Sequence, residues 1–234
     1  MTPTSRQPHR RSFVAPRLVA QGARFVEIGD TAIAADFPET NEPALGLVDL
    51  SPLPRTGIKG PKALDHLRAQ GWPVPEDNNL AVTTPDGELI CRLSDHEVLV
   101  LASPQRWLET HTAPIDALAA SVDETTAWAV PRRDSHCWFI LRGPEAGDCL
   151  QKLCGVDLRP GSFAPGAIAQ TSIARLNGIV CRSHAAADEF HILADSASAV
   201  WFWDALLDAA EEFGGGPSGL ADAAFKPDAS APQE

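Results

Sequence analysis

"RGPEAGDCLQKLCG" at residues 142–155 and "KGPKALDHLRAQG" at residues 59–71 share one pattern. Each copy carries Gly-Pro directly after an extended apolar run, followed by apolar residues at the spacing of one helix face. Proline is pre-organised for the first turn of a helix, so both copies predict a strand that passes directly into a helix. The glycines of the two pairs, Gly60 and Gly143, are 83 residues apart (143 − 60 = 83).

The segments after the first copy predict three strands and a helix. Residues 80–93 form two extended runs around the Asp-Gly at 86–87, a strong signal for a β-hairpin. Residues 97–103 form a third extended run. Residues 104–122 have a helical pattern, which we expect Pro114 to break or kink.

The segments after the second copy predict the same elements in the same order. Residues 167–184 predict a hairpin about the Asn-Gly at 177–178, residues 189–195 a strand, and residues 196–213 a closing helix. The order β-α-β-β-β-α therefore occurs twice. It predicts an α+β fold of two related halves, each an antiparallel sheet with helices on one face.

The composition of the two chain termini predicts where the folded domain begins and ends. Residues 1–21 are polar and rich in Arg and Pro, so we expect a flexible N-terminal arm. Residues 22–125 are the predicted first half and residues 126–213 the predicted second half. Residues 214–234 are rich in Gly, Pro, Ala and Asp, and we expect a flexible tail that starts with a glycine-rich linker.

Bulk composition excludes several classes of protein. The chain has 234 residues, is 44% hydrophobic and 21% charged, and carries a net charge of −12. An acidic surface repels nucleic acid and anionic membranes, so neither is an expected partner. The start has no apolar signal region, and no run reaches the length of a membrane-spanning helix. Five cysteines in no disulfide-scaffold spacing indicate reduced thiols, so we expect a cytoplasmic protein.

No residue pattern predicts a catalytic or metal centre. Cys149 and Cys154 lie on the same predicted helical stripe as Leu150 and Leu153, so core packing explains them better than zinc or redox chemistry. The run "RDSHC" at 133–137 places Asp, Ser, His and Cys in a row, but neighbours on a strand point to opposite sides. We interpret it as the polar start of a strand.

The closing helix is apolar around much of its circumference. "AVWFWDALLDA" at 199–209 places large side chains on more than one face, so more than one surface must cover it. One interpretation is that the other half of the chain covers it. The other is a docking surface for a second subunit, with Trp201, Phe202 and Phe213 as candidate anchors.

Four segments resemble a known family. Residues 141–175 and 188–209 resemble the gamma subunit of heterotetrameric sarcosine oxidase, within the folate-binding aminomethyltransferase superfamily that includes the glycine cleavage T-protein. Residues 49–67 and 92–103 resemble the opening segments of that superfamily. The resemblance implies the aminomethyltransferase-like folate-binding fold, built from related α+β halves.

The resemblance also implies a function. In the family, alpha and beta subunits join the gamma subunit in a complex that oxidatively demethylates an N-methyl amino acid and transfers the one-carbon unit to tetrahydrofolate. Flavin and NAD are therefore expected on partner subunits of the alpha and beta type. This chain is expected to bind no cofactor tightly, with tetrahydrofolate left open as a ligand.

One departure from the superfamily bears on folate. The superfamily's enzymes have a Glu-bearing loop ahead of the strand that reads "EFHILAD" here, and Ala187 stands about where the resemblance implies that Glu. A buried pterin whose donors lack a carboxylate partner binds weakly. If the chain binds folate, the candidate contacts are polar residues at the mouths of the two repeats. These are Asp49, Arg55, Arg142 and Gln170.

Each candidate contact also has a plain structural interpretation: Arg142 as an exposed strand end, and Asp49 and Gln170 as hydrogen-bonding residues of turns or sheet edges. The leading hypothesis is a non-catalytic gamma-type subunit of a sarcosine oxidase-like complex. The alternatives are a stand-alone folate-binding one-carbon transferase or folate-dependent assembly protein, and a scaffold with a vestigial cavity.

Overall fold

The computed structural model describes residues 10–38, 42–111, 114–122, 125–184 and 188–220. The helices are α1 Ala15–Ala20, α2 Ala63–Ala69, α3 Pro104–Thr110, α4 Pro114–Ala120, α5 Arg132–Ser135, α6 Ala146–Gln151 and α7 Ala199–Ala210, with 3-10 helices at Ser196–Ser198 and Glu211–Phe213. The strands are β1 Arg24–Ile28, β2 Thr31–Asp36, β3 Leu45–Asp49, β4 Arg55–Lys59, β5 Leu80–Thr83, β6 Leu89–Ser94, β7 Glu97–Leu101, β8 Trp128–Val130, β9 His136–Arg142, β10 Ile168–Ile173, β11 Leu176–Arg182, β12 Glu189–Asp195 and β13 Gly215–Ser218.

Two sheets carry the predicted repeat. The first sheet has the order β5-β6-β7-β4-β8, and the second sheet has the order β10-β11-β12-β9-β3-β13. In each, the strand before the Gly-Pro turn lies beside the last strand of the three that follow its helix. The predicted α+β fold with two related β-α-β-β-β-α units is therefore confirmed. Every pairing in the two sheets is antiparallel except that of β13 with β3, which is parallel.

The two units exchange strands. β3 directly precedes β4 along the chain, but it pairs with β9 in the second sheet. β8 precedes β9, but it pairs with β4 in the first sheet. A division of the chain at residue 125 therefore does not separate the two sheets, because each unit supplies one strand to the sheet of the other.

The same exchange explains the two glycines of the Gly-Pro turns. Gly60 and Gly143 have φ values of +137° and +132°, a region open to glycine and strained for other residues. A Cβ on Gly60 would lie 2.6 Å from the backbone oxygen of Thr126, just before β8. A Cβ on Gly143 would lie 2.2 Å from the backbone oxygen of Ala44, just before β3. Each glycine thus makes room for the strand that the other unit contributes.

Three apolar clusters define four layers, in the order helices, second sheet, first sheet, helices. The helix-side core of the second sheet joins β9 to α1, α6 and α7, for example through Phe139, Leu18 and Phe202. The inter-sheet core joins the two sheets, for example through Leu99 and Trp138. The third cluster packs α2 and α4 on the outer face of the first sheet.

All five cysteines are free and buried. Cys149 and Cys154 belong to the helix-side core of the second sheet, which confirms the prediction that they are packing residues. Burial raises the pKa of Cys149 to about 11 and that of Cys137 to about 12. Neither thiol is poised for chemistry near neutral pH, because the thiolate is the reactive form.

The predicted flexible arm over residues 1–21 is wrong for residues 10–21, and residues 1–9 lie outside the described residues. Helix α1 packs on the second sheet through Val14 and Leu18, which are 0% and 1% exposed. Arg17 of α1 forms a bidentate ion pair with Asp204 of α7, at 2.8 Å for the shorter contact. Burial of two aliphatic side chains fixes this segment despite its polar composition.

The predicted flexible tail over residues 214–234 is wrong for residues 214–220, and residues 221–234 lie outside the described residues. β13 extends the second sheet beside β3, and Leu220 is 1% exposed in the inter-sheet core. The glycines of this run are not a linker. Gly219 directly follows β13, and a Cβ there would lie 2.0 Å from the backbone oxygen of Ala35, so this position needs a residue without a side chain.

The second predicted hairpin turns at a different place. Ala174 and Arg175 occupy the turn with φ values of +47° and +63°. Asn177 and Gly178 instead lie within β11, and a Cβ on Gly178 would lie 2.6 Å from Cγ2 of Ile173. This glycine serves close side-chain packing inside the hairpin, so the Asn-Gly signal predicted the wrong turn.

Candidate functional site

Asp49 and Arg55 form a buried structural unit at the crossing from β3 to β4. Asp49 is 2% exposed, and one of its carboxyl oxygens accepts a hydrogen bond of 3.0 Å from the backbone N–H of Ser51. Burial raises the pKa of Asp49, an effect that its contacts with Ser51 and the charge of Arg55 oppose. The Arg55 guanidinium donates to the backbone carbonyls of Ser51, Leu53, Arg132, Arg133 and His136.

These contacts define the role of Arg55. Its donors hold the β3–β4 loop against α5 and the start of β9, so the side chain joins segments about eighty residues apart. Burial lowers the pKa of Arg55 to about 10, which leaves it charged at neutral pH. Backbone carbonyls compensate this buried charge, as the burial of an ion requires.

Arg142 lies in a row of polar side chains that faces the inter-sheet core. Its guanidinium donates to the hydroxyl of Ser218 at 2.9 Å, and Glu189 is its cross-strand partner on β12. Nε2 of His191 lies 3.7 Å from Glu189, and Nδ1 of His191 accepts a hydrogen bond from the Trp138 indole at 3.2 Å. At 7% exposed, Arg142 is not the exposed strand end that the plain interpretation predicted.

Burial sets the charge state of this row. It lowers the pKa of His191 to about 4, so the imidazole is neutral at physiological pH. Burial also raises the pKa of Glu189, an effect that a hydrogen bond with Ser183 and the charge of Arg142 oppose. Glu189 and His191 were not among the predicted site residues. The available signal was the strand "EFHILAD", in which both polar residues share one face with Leu193.

The structure places Asp49 and Arg142 on opposite faces of the second sheet. Asp49 pairs with Phe139, whose ring packs in the helix-side core, whereas Arg142 shares the inter-sheet face of Ile140. Arg142 pairs with Gly46, three residues from Asp49, which separates the two positions by about 10 Å along the strand. These two side chains therefore face different cores of the protein.

Gln170 lies on the wall of an open cleft. Its amide nitrogen donates to the backbone oxygen of Leu93 and to the side-chain oxygen of Asn79, both at 2.7 Å. Gln170 thus ties edge strand β10 to the first sheet, as the plain interpretation of a sheet-edge hydrogen bonder predicted. The cleft has a volume of about 490 Å³ and lies where the two sheets diverge, between β4, β6, β7 and α5 on one side and β9–β12 on the other.

The three candidate interface residues differ in exposure. Trp201 is 49% exposed on α7. Phe202 is fully buried, with its ring centroid 5.9 Å from that of Phe139, so its prediction as a docking anchor is wrong. Phe213 is partly buried, and the Lys152 ammonium lies 5.6 Å from the centre of its ring. One face of the helix is thus covered, but by β9 and α6 of its own half together with α1 and β3 of the first half, and another face reaches solvent.

Two further observations concern the described residues only. Within the parts of the chain that the structure describes, no group of three or more His, Cys, Asp or Glu side chains is placed to hold a metal ion. No described helix is long and apolar enough to cross a membrane. Ala187, where the resemblance implies the folate-contacting Glu, lies outside the described residues.

Curated relatives of the chain are aminomethyltransferases. The aminomethyltransferase of Geobacillus thermodenitrificans is 26% identical across an alignment of 234 residues that covers 90% of this chain and 61% of the relative. That of Acidobacterium capsulatum is 23% identical over 199 residues, covering 75% of this chain and 49% of the relative. The chain thus spans about half to three-fifths of the length of these relatives.

Solved structures share the fold. A chain of the heterotetrameric sarcosine oxidase from Corynebacterium sp. U-96, solved with pyrrole 2-carboxylate, matches with a TM-score of 0.66 and 22% identity, covering 88% of this chain and 96% of that chain. The glycine cleavage system aminomethyltransferase T from Bartonella henselae also matches with a TM-score of 0.66, at 15% identity, covering 91% of this chain and 60% of that chain.

A family model described as the GCVT N-terminal domain matches residues 14–224, which is most of the chain. The matched range begins in the loop before α1 and runs past β13, so it includes both repeat units and the strands that they exchange. The protein belongs to the GCVT N-terminal domain family.

Proposed function

We propose that this chain is a non-catalytic, gamma-type subunit of a heteromeric sarcosine oxidase-like complex. The complex oxidatively demethylates an N-methyl amino acid or amine in the cytoplasm and transfers the one-carbon unit to tetrahydrofolate. Flavin and NAD are bound by partner subunits of the alpha and beta type.

The observation that carries this proposal is that the structural match covers nearly the whole length of both chains. The alignment takes in 88% of this chain and 96% of the sarcosine oxidase chain, so the two chains are of similar length. Against the aminomethyltransferase of the glycine cleavage system, the same fold covers only 60% of the other chain. A shared fold alone does not establish a function. The similar chain length supports the proposal, and the experiment below tests it.

A non-catalytic role is supported by the state of the ionisable side chains. Arg55 is held by backbone carbonyls, and His191 is buried and neutral. His136, beside the cleft, has a pKa lowered to about 4, mainly by burial and then by the charges of Arg132 and Arg55. A general acid or base works best with a pKa near the working pH, and these groups are far from it.

The outer face of α7 is the proposed docking surface. Trp201 is exposed, and its neighbour Val200 is 37% exposed, which together make an apolar patch. Asp208 follows Trp201 on the same helix face at the i+7 position, and Asp204 at i+3 is paired with Arg17. A partner with an apolar pocket and a basic rim would complement this surface, because interface anchors are enriched in Trp and charged rims set specificity.

Co-expression with the genes that neighbour its own tests the proposal. We expect the tagged chain to retain a flavoprotein whose yellow absorbance and sarcosine-dependent hydrogen peroxide formation co-elute with it. Trp201→Glu is expected to reduce this retention at least ten-fold. Trp128→Glu is the matched control, since Trp128 is 47% exposed on the first sheet. Purification of the chain alone, free of flavoprotein, would contradict the proposal.

A stand-alone folate-binding one-carbon transferase or folate-dependent assembly protein is the second candidate. It is favoured by the match to the GCVT N-terminal domain and by the aminomethyltransferase relatives. In that case Asp49, Arg55, Arg142 and Gln170 remain the proposed contacts, although Asp49 and Arg142 face opposite sides of the sheet. Calorimetric titration of the purified chain with tetrahydrofolate and 5-formyltetrahydrofolate tests it, and the absence of saturable heat would exclude this candidate.

A further inference from the structure

The cleft between the diverging sheets has two unlike walls. Its first-sheet wall carries charge, from Lys59 on β4, Glu97 on β7 and Arg132 on α5. The second-sheet wall carries neutral polar side chains, including Ser172 on β10 and Asn177 on β11. Its volume of about 490 Å³ lies within the range of about 300–1,000 Å³ that is usual for small-molecule sites.

The charged wall is a connected row. Glu97 accepts from Lys59 at 3.1 Å with one oxygen and from Arg132 with the other. Arg132 also donates to Nε2 of His136 at 3.2 Å, while Nδ1 of His136 lies 2.8 Å from the hydroxyl of Ser135. Arg132 can lie flat across β4 because the strand has a glycine at residue 57, where a Cβ would meet its Nε at 3.2 Å.

The row has an excess of one positive charge. Lys59 and Arg132 are cations, Glu97 is an anion, and His136 is neutral because burial lowers its pKa to about 4. The two terminal nitrogens of the Arg132 guanidinium donate hydrogen bonds to Glu97 and His136. The Lys59 ammonium has three N–H donors, and among the described residues its one ion pair is with Glu97. Lys59 therefore has donors available for a ligand.

The opposite wall offers hydrogen bonds over an apolar floor. Ser172 and Asn177 are cross-strand partners on β10 and β11, and neither side chain has a hydrogen-bond partner among the described residues. Leu193 and Ile179 form the floor and pack in or against the inter-sheet core. A ligand would thus meet a cation on one side, neutral polar groups on the other and hydrocarbon beneath.

An exposed tryptophan lies next to Lys59, just outside the residues that line the cleft. Trp128 on β8 is the cross-strand partner of Lys59, so the two side chains leave the same face of the first sheet. It is 47% exposed. An indole held in this position can cover a planar apolar group whose charged end lies against Lys59.

We propose that this cleft binds a small monocarboxylate with a planar apolar body, its carboxylate on Lys59 and its body between Trp128 and the floor. The single excess charge matches one negative charge, whereas a phosphate dianion would leave a charge uncompensated. This inference is independent of the proposed subunit role, because the cleft and the outer face of α7 are on different elements; it shares Gln170 with the folate candidate.

Isothermal titration of the full chain with benzoate tests the proposal. We expect saturable binding with a Kd on the order of 1 mM, given the nine non-hydrogen atoms of benzoate. Benzamide, the neutral analogue, is expected to bind at least about ten-fold more weakly, because the charge-assisted contact is lost. Phenyl phosphate is expected to bind no more tightly than benzoate.

Two lysine variants localise the site. Lys59→Gln should weaken benzoate binding about ten-fold, because it removes the excess charge and keeps an unbranched stem with a polar end. Lys62→Gln is the control, since it makes the same charge change at an exposed lysine that pairs with Asp65 before α2. Three results would overturn the proposal: no saturable heat with benzoate, equal affinity for benzamide, or equal losses in the two lysine variants. Phenyl phosphate binding ten-fold more tightly than benzoate would overturn the assignment to monocarboxylates.

Discussion

Substitution of Gly143 by alanine tests the exchange of strands between the two units. The new Cβ would lie 2.2 Å from the backbone oxygen of Ala44 and 2.6 Å from Cδ2 of Leu45, at the start of β3. Because the nearest atom belongs to the backbone, a side-chain rotation cannot relieve the clash. The strand β3 has to move away from β9, or the turn has to abandon its φ of +132°.

The cost follows from two effects. An unfavourable positive φ at a non-glycine residue costs about 1–3 kcal/mol. Overpacking against a neighbour that cannot move freely adds about 1–3 kcal/mol. We therefore expect Gly143→Ala to lower the free energy of unfolding by about 4 kcal/mol. Single domains are stable by about 5–15 kcal/mol, so this loss is large enough to measure directly.

Urea unfolding followed by circular dichroism gives the free energies. Gly71→Ala is the control, because Gly71 also has a positive φ, of +80°, but nothing lies within 4 Å of its Cβ position. It should cost about 1 kcal/mol, the backbone effect alone. Gly60→Ala should behave like Gly143→Ala, since its Cβ would lie 2.6 Å from the oxygen of Thr126. If the Gly143 and Gly71 variants differed by less than about 1 kcal/mol, the reasoning on strand exchange would be refuted.

Three further outcomes are expected. In urea unfolding, Phe202→Ala should destabilise the isolated chain by about 3–5 kcal/mol, and the adjacent Trp201→Ala by less than about 0.5 kcal/mol. Equal losses would contradict the assignment of buried and exposed faces on α7. The depressed pKa of His191, about 4 when folded, means that the unfolded state takes up a proton first as the pH falls below about 6.5. Stability should therefore drop by about 2 kcal/mol more in the wild type than in His191→Gln between pH 7.5 and pH 5, and parallel pH curves would argue against a buried neutral imidazole. All five thiols should resist dithionitrobenzoate in the native chain at pH 8 and react after guanidinium unfolding, whereas fast labelling of Cys149 in the native state would place it at the surface.

Local patterns predicted much of the fold. The Gly-Pro turns, the Asp-Gly hairpin and the break of the helical segment at Pro114 are local signals, and each occurs where the sequence predicts it. Periodicity correctly placed Cys149 and Cys154 in the core, but the predicted stripe is too long, because α6 ends at Gln151 and Cys154 forms an isolated bridge with Ile173. These predictions succeed because a turn residue or a helix face depends mainly on its own neighbours in the chain.

The same signals failed where distant segments compete for a residue. Asn177 and Gly178 look like a hairpin turn, yet the register that buries Ile173 and Val180 moves the turn to Ala174 and Arg175. The glycine-rich start of the tail looks like a linker, yet it forms β13 because an open edge of β3 is available to pair with it. In both cases burial and strand pairing outweigh local propensity.

The candidate sites were the least predictable part. Arg55 is a buried clamp on backbone carbonyls, although its sequence position beside Asp49 suggests an open polar mouth. The cleft wall consists of Lys59, Glu97 and Arg132, which lie on three separate elements, so no sequence motif predicts it. A site of this kind arises when the sheets pack together, so its residues have no regular spacing along the sequence by which it could be recognised.

By itself, the sequence determined the repeated β-α-β-β-β-α order, the Gly-Pro junctions and the family resemblance, because these depend on residue type and spacing along the chain. Only the tertiary structure decided that β3 and β8 change places between the units, that Phe202 is buried while Trp201 is exposed, and that the sheets diverge into a cleft. The physical reason is that strand pairing and burial are set by surfaces far apart in the chain, whose fit is established when the layers pack together.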